Sequence, residues 1–372
     1  MDEDSSPDNP RRYAVVYNHD FQTAPPHDPT RRPFFLEASK DVVKTAAHVR
    51  AVLDARGEET CLIPVDSTLD GTLSLLLKRK VDAVFNLVES LGNDSSREPE
   101  LPMLLEEAGI PYTGNPPAAL RLAYRKDQAR QLLAAHSLPV ARCLTVRRPE
   151  EATDGKLARL GLPVFVKPAR TDASIGIDQG SVFFSRRRLR KRVASLLEQV
   201  SGPVLIEEYL PGPEFNVAIF PNPYHGRLSL TEIDFSRCPG ELAPVVTYSS
   251  KWHPEAPEYA AFSRPCSDLV PKPLQNEILH IARAAFLTLG GTSYGRVDLR
   301  LDLRGRPVVI DVNPNPDLAP DAGLAVAACA LGMSYSELVL SIAAGASLKE
   351  SHASTPSLAL RPRTFGCATA AY

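Results

Sequence analysis

The segment Gly295–Asn313 constrains the fold of this chain more than any other. Apolar and polar residues alternate up to Arg304, a glycine follows, and an apolar run then leads into a second alternation at Ile310–Asn313. Such alternation is typical of β-strands, and Arg304-Gly305 suits a two-residue turn, since glycine accepts a positive φ. Pairing outward from this turn places Asp298 directly opposite Asp311, with both side chains on one face. The sequence therefore predicts an antiparallel hairpin that carries two facing acids.

Facing carboxylates repel each other across a strand pair, so a compensating charge is expected. Magnesium fits, because it takes oxygen ligands from one or two carboxylates and leaves positions for phosphate and water. Arg296 and Asn313 share the face of the two acids, and the polar turn Asn313–Asp317 follows, which disfavours the alternative of a merely solvated hairpin. The opposite face is expected to enter a core through four apolar residues: Val297, Leu299, Ile310 and Val312.

Strands and helices alternate along the rest of the chain, which predicts an α/β fold of three units. Short apolar runs such as Tyr13–Tyr17 and Val81–Val88 predict buried parallel strands joined by helices. A proline-rich loop at 22–33 is too long for a simple connection, which favours a functional role. The predicted organisation is a disordered leader at 1–12, an N-terminal parallel α/β unit at 13–114, a central α+β unit at 115–207, a C-terminal α+β unit at 208–347 and a flexible tail at 348–372.

Lys167 ends the apolar strand that begins at Val164, and a lysine there is costly unless it meets an anion in a cleft. The loop that follows, residues 169–176, has small and hydroxylated residues whose backbone N–H groups can close over phosphates. A plain surface loop is an equal alternative for this stretch alone. A further strand is expected at 180–184.

In the segment Val204–Glu214 an apolar strand runs into two acids and then into a Pro-Gly-Pro break. An extended backbone there can pair with the edge of an adenine, and Glu214 can bind ribose hydroxyls. A domain linker is the alternative interpretation, and this segment alone does not choose between the two.

Composition narrows the class of function. The formal net charge is -2, which offers no electrostatic argument for nucleic acid or an anionic membrane. The basic run Ser185–Arg192 is interpreted as the solvated face of a helix rather than a nucleic-acid site, because nearby apolar residues keep helical spacing. The six cysteines lack zinc or disulfide spacings, and no apolar run reaches the roughly 18 residues that span a bilayer. A cytoplasmic location is expected.

Taken in order, these segments resemble the ATP-grasp superfamily and, within it, the D-alanine–D-alanine ligases. The likeness extends from Tyr13 to Ser347. The matching pieces are Gly109–Gly114, Lys126, Phe165–Pro168, Ser174–Gly176, Glu207–Leu210, Pro213-Glu214, Lys251, Arg296–Asp298 and Asp311–Asn313. The resemblance implies a three-unit ATP-grasp fold with an N-terminal α/β domain, a central lid domain and a C-terminal catalytic domain.

The resemblance also implies roles for individual residues. The implied catalytic residues are Arg296 at the oxyanion of a tetrahedral intermediate, Lys251 at the γ-phosphate, and Ser174 in the closing loop. The implied nucleotide contacts are Lys126, Lys167, Glu207, Glu208, Leu210 and Glu214. The implied magnesium ligands are Asp298, Asp311 and Asn313; two ions are expected, and manganese is an acceptable substitute.

The implied reaction joins a carboxylate to an amine using ATP, through an acyl phosphate, and releases ADP and phosphate. The expected partners are small molecules, amino acids or their derivatives; no nucleic acid or membrane is expected, and a homodimer is compatible with the family. Two alternatives stay open: an authentic D-alanine–D-alanine ligase, and a non-catalytic ATP-binding regulatory protein on the same fold. Retention of Arg296 disfavours the second, because nucleotide binding alone needs no group at an oxyanion.

The substrate-contacting positions depart from the family. Trp252 stands where tyrosine is usual, and Asp172 replaces a glycine of the closing loop. Asp317 and a residue beside Gly323 stand where the family has a glycine and a serine near the second substrate's carboxylate. We therefore take Trp252, Asp317 and Gly323 as candidate contacts for substrates other than D-alanine. Alternatively, Asp317 caps a helix that is expected to begin near Pro320.

Overall fold

A computed structural model describes residues 10–19, 32–186, 188–200, 202–221, 227–266 and 268–347, and of residues 32–41 it describes the backbone alone. The expected tail lies outside the described residues. Of the expected leader only 10–12 are described, and of the proline-rich loop only 32–33, which belong to a helix.

The N-terminal unit is built on a parallel three-stranded sheet in the order β2-β1-β3, as the alternation of strands and helices predicted. Its elements are β1 (Arg12–Asn18), α1 (Arg32–Ala55), β2 (Glu59–Val65), α2 (Thr72–Lys78), β3 (Ala83–Leu87) and α3 (Glu100–Glu107). Both faces of β1 are covered: Tyr13 and Val15 enter one core, while Ala14 and Val16 enter another. Two-sided burial explains why the strand is a continuous apolar run.

The central unit contains an antiparallel sheet in the order β4-β7-β5-β6. Its elements are α4 (Pro117–Tyr124), α5 (Lys126–Ala135), β4 (Cys143–Val146), α6 (Asp154–Leu160), β5 (Val164–Pro168), β6 (Val182–Phe183), α7 (Leu189–Gln199) and β7 (Val204–Glu208). The strand expected at 180–184 is wrong in extent: Gln179–Ser181 forms a 3-10 turn capped by Asp178, so only β6 remains extended.

The second half of the basic run belongs to α7, which begins at Leu189. The apolar residues of this helix are buried, as their spacing predicted: Leu189, Val193 and Leu196. Two arginines of the helix make local ion pairs, Arg190 with Asp154 at 2.8 Å and Arg192 with Asp178 at 2.8 Å. These contacts fit the solvated-face interpretation of the run.

The C-terminal unit contains an antiparallel five-stranded sheet in the order β10-β9-β8-β11-β12. Its elements are β8 (Glu214–Ile219), β9 (Leu228–Asp234), α8 (Tyr248–Trp252), β10 (Phe262–Pro265), α9 (Lys272–Thr288), β11 (Gly295–Leu301), β12 (Pro307–Asn313), α10 (Gly323–Ala330) and α11 (Tyr335–Ala344). In the described ranges no single helix is long and apolar enough to cross a membrane, and α10 with α11 passes such a test only as a pair bent by 105°. Both helices contribute to the core that also holds Tyr13.

The hairpin β11–β12 has the predicted pairs Asp298–Asp311 and Arg296–Asn313, but the turn and the strand pairing between the turn and these pairs differ from the prediction. Asp302 N donates to the Arg306 carbonyl at 2.9 Å, so the turn is longer than the two residues expected. A β-bulge at residue 310 adds one residue to β12 and restores the pairing. The core position expected of residue 310 is therefore wrong: residue 309 is the buried one, and 310 is half-buried.

Asn115 joins the hairpin to the rest of the chain. Its Nδ2 donates to the carbonyls of Tyr294 at 2.7 Å and Pro314 at 2.6 Å, and its Oδ1 accepts from two backbone N–H groups just before Tyr294. Farther along the turn, Asn315 Nδ2 donates to the carbonyl of Val88 at 3.2 Å. The polar end of the hairpin is thus held at the carboxyl edge of the N-terminal sheet.

Candidate active site

Two cations compensate the facing acids of the hairpin. Arg296 binds Asp298 with both ends of its fork, Nε to Oδ1 at 2.7 Å and Nη2 to Oδ2 at 2.9 Å. Lys126, the first residue of α5, places Nζ 3.3 Å from Oδ2 of Asp311. Burial alone would raise the pKa of Asp311, but the charges of Lys126, Lys167 and Arg296 outweigh it and hold that pKa below its usual value. Side-chain cations therefore supply part of the compensation for which the sequence predicted a magnesium ion, and the magnesium ligands stay a prediction.

The oxygen donors of this face suit magnesium. Asp298 accepts two bonds from Arg296 and one from Asn216 Nδ2 at 2.8 Å, which leaves one of the about four lone pairs of a carboxylate. Asp311 and Asn313 follow on the partner strand. Within the described residues no three or more His, Cys, Asp or Glu side chains form a metal cluster. Two carboxylates and one amide oxygen fit an ion that completes its shell with phosphate and water.

Lys167 meets a buried anion, Glu207. Its Nζ lies 3.1 Å from Oε2 of Glu207 and donates to the carbonyl of Ile310, the bulge residue, at 3.1 Å. Arg130 Nη1 is 3.0 Å from Oε1 of Glu207, but the angle does not make a hydrogen bond, and among the described residues this buried oxygen has no donor. An orphaned buried acceptor fits an exocyclic amino group such as that of adenine.

The other residues predicted to contact the nucleotide lie in different surroundings from one another. Glu208 faces away from Lys167, because neighbouring strand residues alternate, and accepts from Arg142 Nε at 2.8 Å. Leu210 is buried in a small apolar cluster. Burial raises the pKa of Glu214, and Arg300, at 3.9 Å, opposes that rise. Of the two adjacent acids, only Glu207 belongs to the group around Lys167.

The Pro-Gly-Pro break at 211–213 is docked on β11. A Cβ atom at Gly212 would lie 2.5 Å from the Leu301 carbonyl oxygen, so no larger residue fits without a shift. Arg300 Nη2 donates to the carbonyl of Gly212 at 3.0 Å. The break is therefore a fixed connection between the central and C-terminal sheets, which places Glu214 at the start of β8.

The closing loop is attached to the site. Lys126 Nζ lies 3.0 Å from Oδ1 of Asp172, so one ammonium bridges the loop and Asp311. Trp252 Nε1 donates to the carbonyl of Ala173 at 3.4 Å. Ala173 and Ser174 adopt left-handed φ values of 53° and 60°, a conformation unfavourable for residues with a Cβ. The structure thus places Ser174 in the loop and Trp252, the last residue of α8, against the loop.

Lys251 belongs to α8, and part of the residue is exposed to solvent. The surrounding protein removes water from its ammonium and, with the charge of Arg296, lowers the pKa of Lys251. The carboxylates of Asp298, Asp311 and Glu214 act in the opposite direction. Lys251 therefore lies within the electrostatic field of the hairpin site.

Sequence reasoning missed two acids at the carboxyl edge of the N-terminal sheet, Glu89 and Glu98. Asn18 Oδ1 accepts from the backbone N–H of Glu89 at 3.2 Å, and Glu98 Oε1 accepts from Asn315 Nδ2 at 2.6 Å. Protein around the Glu89 carboxylate removes hydration and raises its pKa to about 8, the nearby charge of Asp317 adds to this, and part of the side chain still faces solvent. The available signal was position, since ligands gather where parallel strands end.

Asp317 and Gly323 lie after the hairpin. Asp317 Oδ1 accepts from the N–H of Ala319 at 2.8 Å, which closes a local turn. The helix α10 begins at Gly323 with Ala322 as its N-cap, so the alternative in which Asp317 caps this helix is wrong. The charge of Asp317 instead acts on Glu89 and helps to raise the pKa of that acid.

A model of the D-ala D-ala ligase C-terminus family matches residues 132–344. The chain is 31% identical to an uncharacterized protein, y4sG, of Sinorhizobium fredii over 80% of this chain and 85% of the relative. It is 30% identical to a D-alanine–D-alanine ligase of Desulforudis audaxviator over 82% of this chain and 93% of the relative.

Solved structures show the same fold. The D-alanine–D-alanine ligase from Bacillus anthracis complexed with ATP matches with a TM-score of 0.67 and 20% identity, over 90% of this chain and 97% of that one. The VanG D-Ala:D-Ser ligase from Enterococcus faecalis matches with a TM-score of 0.66 and 18% identity, over 91% and 99%. The ATP-grasp fold expected from the sequence is confirmed. Because the family model also covers more than half of the residues, the chain belongs to the D-alanine–D-alanine ligase family and is an ADP-forming ligase that makes an amide bond.

Proposed function

We propose that this ligase uses ATP and magnesium to convert a carboxylate to an acyl phosphate, which an amine then attacks, and that its substrates differ from a pair of D-alanines. The observation that carries the first part is the convergence of Lys126, Lys167 and Arg296 on the facing acids Asp298 and Asp311. Three cations around two carboxylates suit a ligand that brings phosphate charge together with a divalent ion.

The hairpin holds the ion and the reacting centre. Asp298, Asp311 and Asn313 supply the oxygen ligands, and two ions are proposed. Magnesium, when bound, offsets charge on the phosphate oxygens. Arg296 is held by two hydrogen bonds from its own fork, so it is oriented before an oxyanion develops and loses little freedom in stabilising it.

The nucleotide is bound by the central unit. Lys126 and Lys167 bind the phosphates, and Oε1 of Glu207 accepts from the adenine amino group, while Glu208 and Leu210 contribute backbone beside the ring. The buried carboxyl of Glu214 gains hydrogen-bond partners from ribose hydroxyls. Lys251 and Ser174 meet the γ-phosphate from α8 and the closing loop.

Acidic residues near the site support an acceptor substrate other than an ordinary amino acid. Glu89, Glu98 and Asp317 lie at the N-terminal sheet edge and in the turn after the hairpin. Burial raises the pKa of Glu89 and of Glu98, and the charge of Asp317 adds to the rise at Glu89. A free acceptor carboxylate beside the charge of Asp317 is repelled, by roughly several kcal/mol when neither group is neutralised. The proposed acceptor end is therefore neutral or carries a second amine. The names of the relatives support the alternative of an authentic D-alanine–D-alanine ligase.

The test is a screen of amino-acid and diamine pairs with ATP and magnesium, read as phosphate release and product mass. We expect an amide product from an acceptor without a free carboxylate at this end, and weak turnover with D-alanine alone. A dominant D-alanine dipeptide would instead support the alternative ligase. ATP binding without phosphate release for any pair would contradict the proposed chemistry.

A further inference from the structure

We infer that Arg130 is a positioning residue for Lys167: it shares the buried carboxylate of Glu207 and so prevents Glu207 from holding Lys167 in a closed neutral pair. The inference rests on the proposed function, in which Lys167 binds the nucleotide phosphates. It concerns a residue of α5 to which neither the sequence pattern nor the family resemblance assigned a role.

The geometry is a buried carboxylate between two cations that come from different elements. Arg130 Nη1 of α5 lies 3.0 Å from Oε1 of Glu207 on β7, and Lys167 Nζ of β5 lies 3.1 Å from Oε2. The side chains of Arg130, Lys167 and Glu207 are 12%, 8% and 4% exposed. A second guanidinium nitrogen of Arg130 donates to the carbonyl of Ala141, which holds the fork in place.

The charges of this group do not cancel. One carboxylate with two cations leaves one positive charge, and Asp311, the hairpin acid near Lys167, is already shared with Lys126 and Arg296. On the side of the hairpin, Lys167 Nζ donates to the carbonyl of Ile310, the residue before Asp311, at 3.1 Å. A nucleotide phosphate arriving there supplies the missing negative charge. The excess positive charge that Arg130 contributes is therefore available for binding, through Lys167.

Without Arg130 the charges around Glu207 and Lys167 cancel. Glu207 and Lys167 then form a neutral ion pair that is almost completely buried, and breaking such a pair to release Lys167 is costly. The phosphates lose a partner, while the adenine and ribose contacts stay. The expected result is that nucleotides with phosphates lose affinity while adenosine does not. This difference separates a positioning role of Arg130 from a purely structural role through its bond to the Ala141 carbonyl.

The experiment compares binding of ADP with magnesium and binding of adenosine, both by calorimetry, in the full chain. Arg130→Met is expected to weaken ADP about tenfold, or about 1.4 kcal/mol, and adenosine less than about twofold. Arg130→Lys, which keeps the charge, is the matched control and is expected to stay close to the unmodified protein. Adding Glu207→Gln to Arg130→Met is expected to recover ADP binding relative to adenosine, because the neutral amide no longer holds Lys167.

Equal weakening of ADP and adenosine by Arg130→Met, or no recovery in the double variant, would overturn the inference. If Arg130→Met does not fold by circular dichroism, Glu207→Gln alone decides: ADP affinity relative to adenosine should rise, and a fall overturns the inference. Failure of the unmodified protein to bind ADP contradicts the proposed function itself, so the two failures are distinct.

Discussion

Asp311 is the acid of the hairpin with the largest number of cations around it. Asp311→Asn removes one negative charge from the proposed magnesium site, and we expect turnover to fall at least about tenfold. The melting temperature should change little, because the Asp311 side chain is 34% exposed and Lys126 keeps Asp172 as a partner. Turnover is measured at saturating magnesium, and unchanged turnover there would contradict the ligand assignment.

Arg296 is proposed to stabilise the oxyanion. Arg296→Ala is expected to lower turnover on the order of 100-fold or more while the affinity for ATP changes little. Arg296→Lys keeps the charge without the planar fork, so it should recover only part of the loss. Steady-state kinetics and direct ATP binding separate the two quantities. If ATP binding collapses instead, Arg296 holds nucleotide or structure.

Asp317 is proposed to select the acceptor. Asp317→Gly should shift preference toward ordinary amino acids with free carboxylates, because it removes a repelling charge. Asp317→Asn is the matched control, since its amide oxygen still accepts from Ala319 but carries no charge. The ranking of acceptors is measured by competition. A lower melting temperature with an unchanged ranking would show that Asp317 serves only its local turn.

Sequence reasoning worked at the residue scale where partners are local. Asp298 and Asp311 were paired from strand alternation and one turn, and the structure has them paired. Glu89, Glu98 and Arg130 were missed, because their importance comes from neighbours on other elements. No periodicity links Arg130 of α5 to a carboxylate on β7. The roles of all these residues in catalysis stay predictions.

At the scale of elements, the hairpin shows how two local errors cancel. The predicted turn at Arg304-Gly305 was too short, and the predicted strand Pro307–Asn313 had no bulge. Each error shifts the register by one residue, in opposite directions. Gly305 indicated where the chain turns but not how long the turn is. The bulge coincides with a tertiary contact that the sequence does not reveal, the bond from Lys167 to the Ile310 carbonyl.

The closing loop provides a test at the same scale. Residues 170–177 are tied to the site by Lys126 and Trp252, and two of them have unfavourable left-handed φ values. We expect hydrogen exchange or protease cutting in this loop to slow when an ATP analogue and an acceptor are present together, because both ligands add contacts to a strained segment. Peptides from α9 are the internal control. No change in either measurement would count against a gating role.

At the scale of the whole molecule, the α/β class was predictable, because continuous apolar strands joined by helices indicate a buried parallel sheet. The ATP-grasp architecture was predictable only from the resemblance of the ordered motifs to that superfamily. The domain boundaries near 114 and 207, the cytoplasmic location and the homodimer stay predictions. The contacts between units were not predictable, since they depend on single polar residues such as Asn115, which binds backbone on both sides of the hairpin.

The stability of the molecule should depend on pH through Glu89. The folded protein retains this proton up to about pH 8, whereas the unfolded chain releases it near 4.5. The free energy of unfolding therefore loses this contribution as pH rises from about 4.5 to about 8, with no further change from this group above. Denaturant unfolding of Glu89→Gln, across the same window, should show a shallower fall than the unmodified protein. Identical slopes would contradict the raised pKa.

The bulge at Ile310 also separates the two ends of the hairpin. The polar end is fixed by Asn115 and by the bulge, whereas the tip is closed by its own bonds, in which Asp302 Oδ1 accepts from the N–H groups of Arg304 and Arg306. Leu303 at this tip is 86% exposed. We therefore expect the tip to tolerate insertions, and to accept a fluorescent reporter that lies on the ligand-binding strands but outside the site.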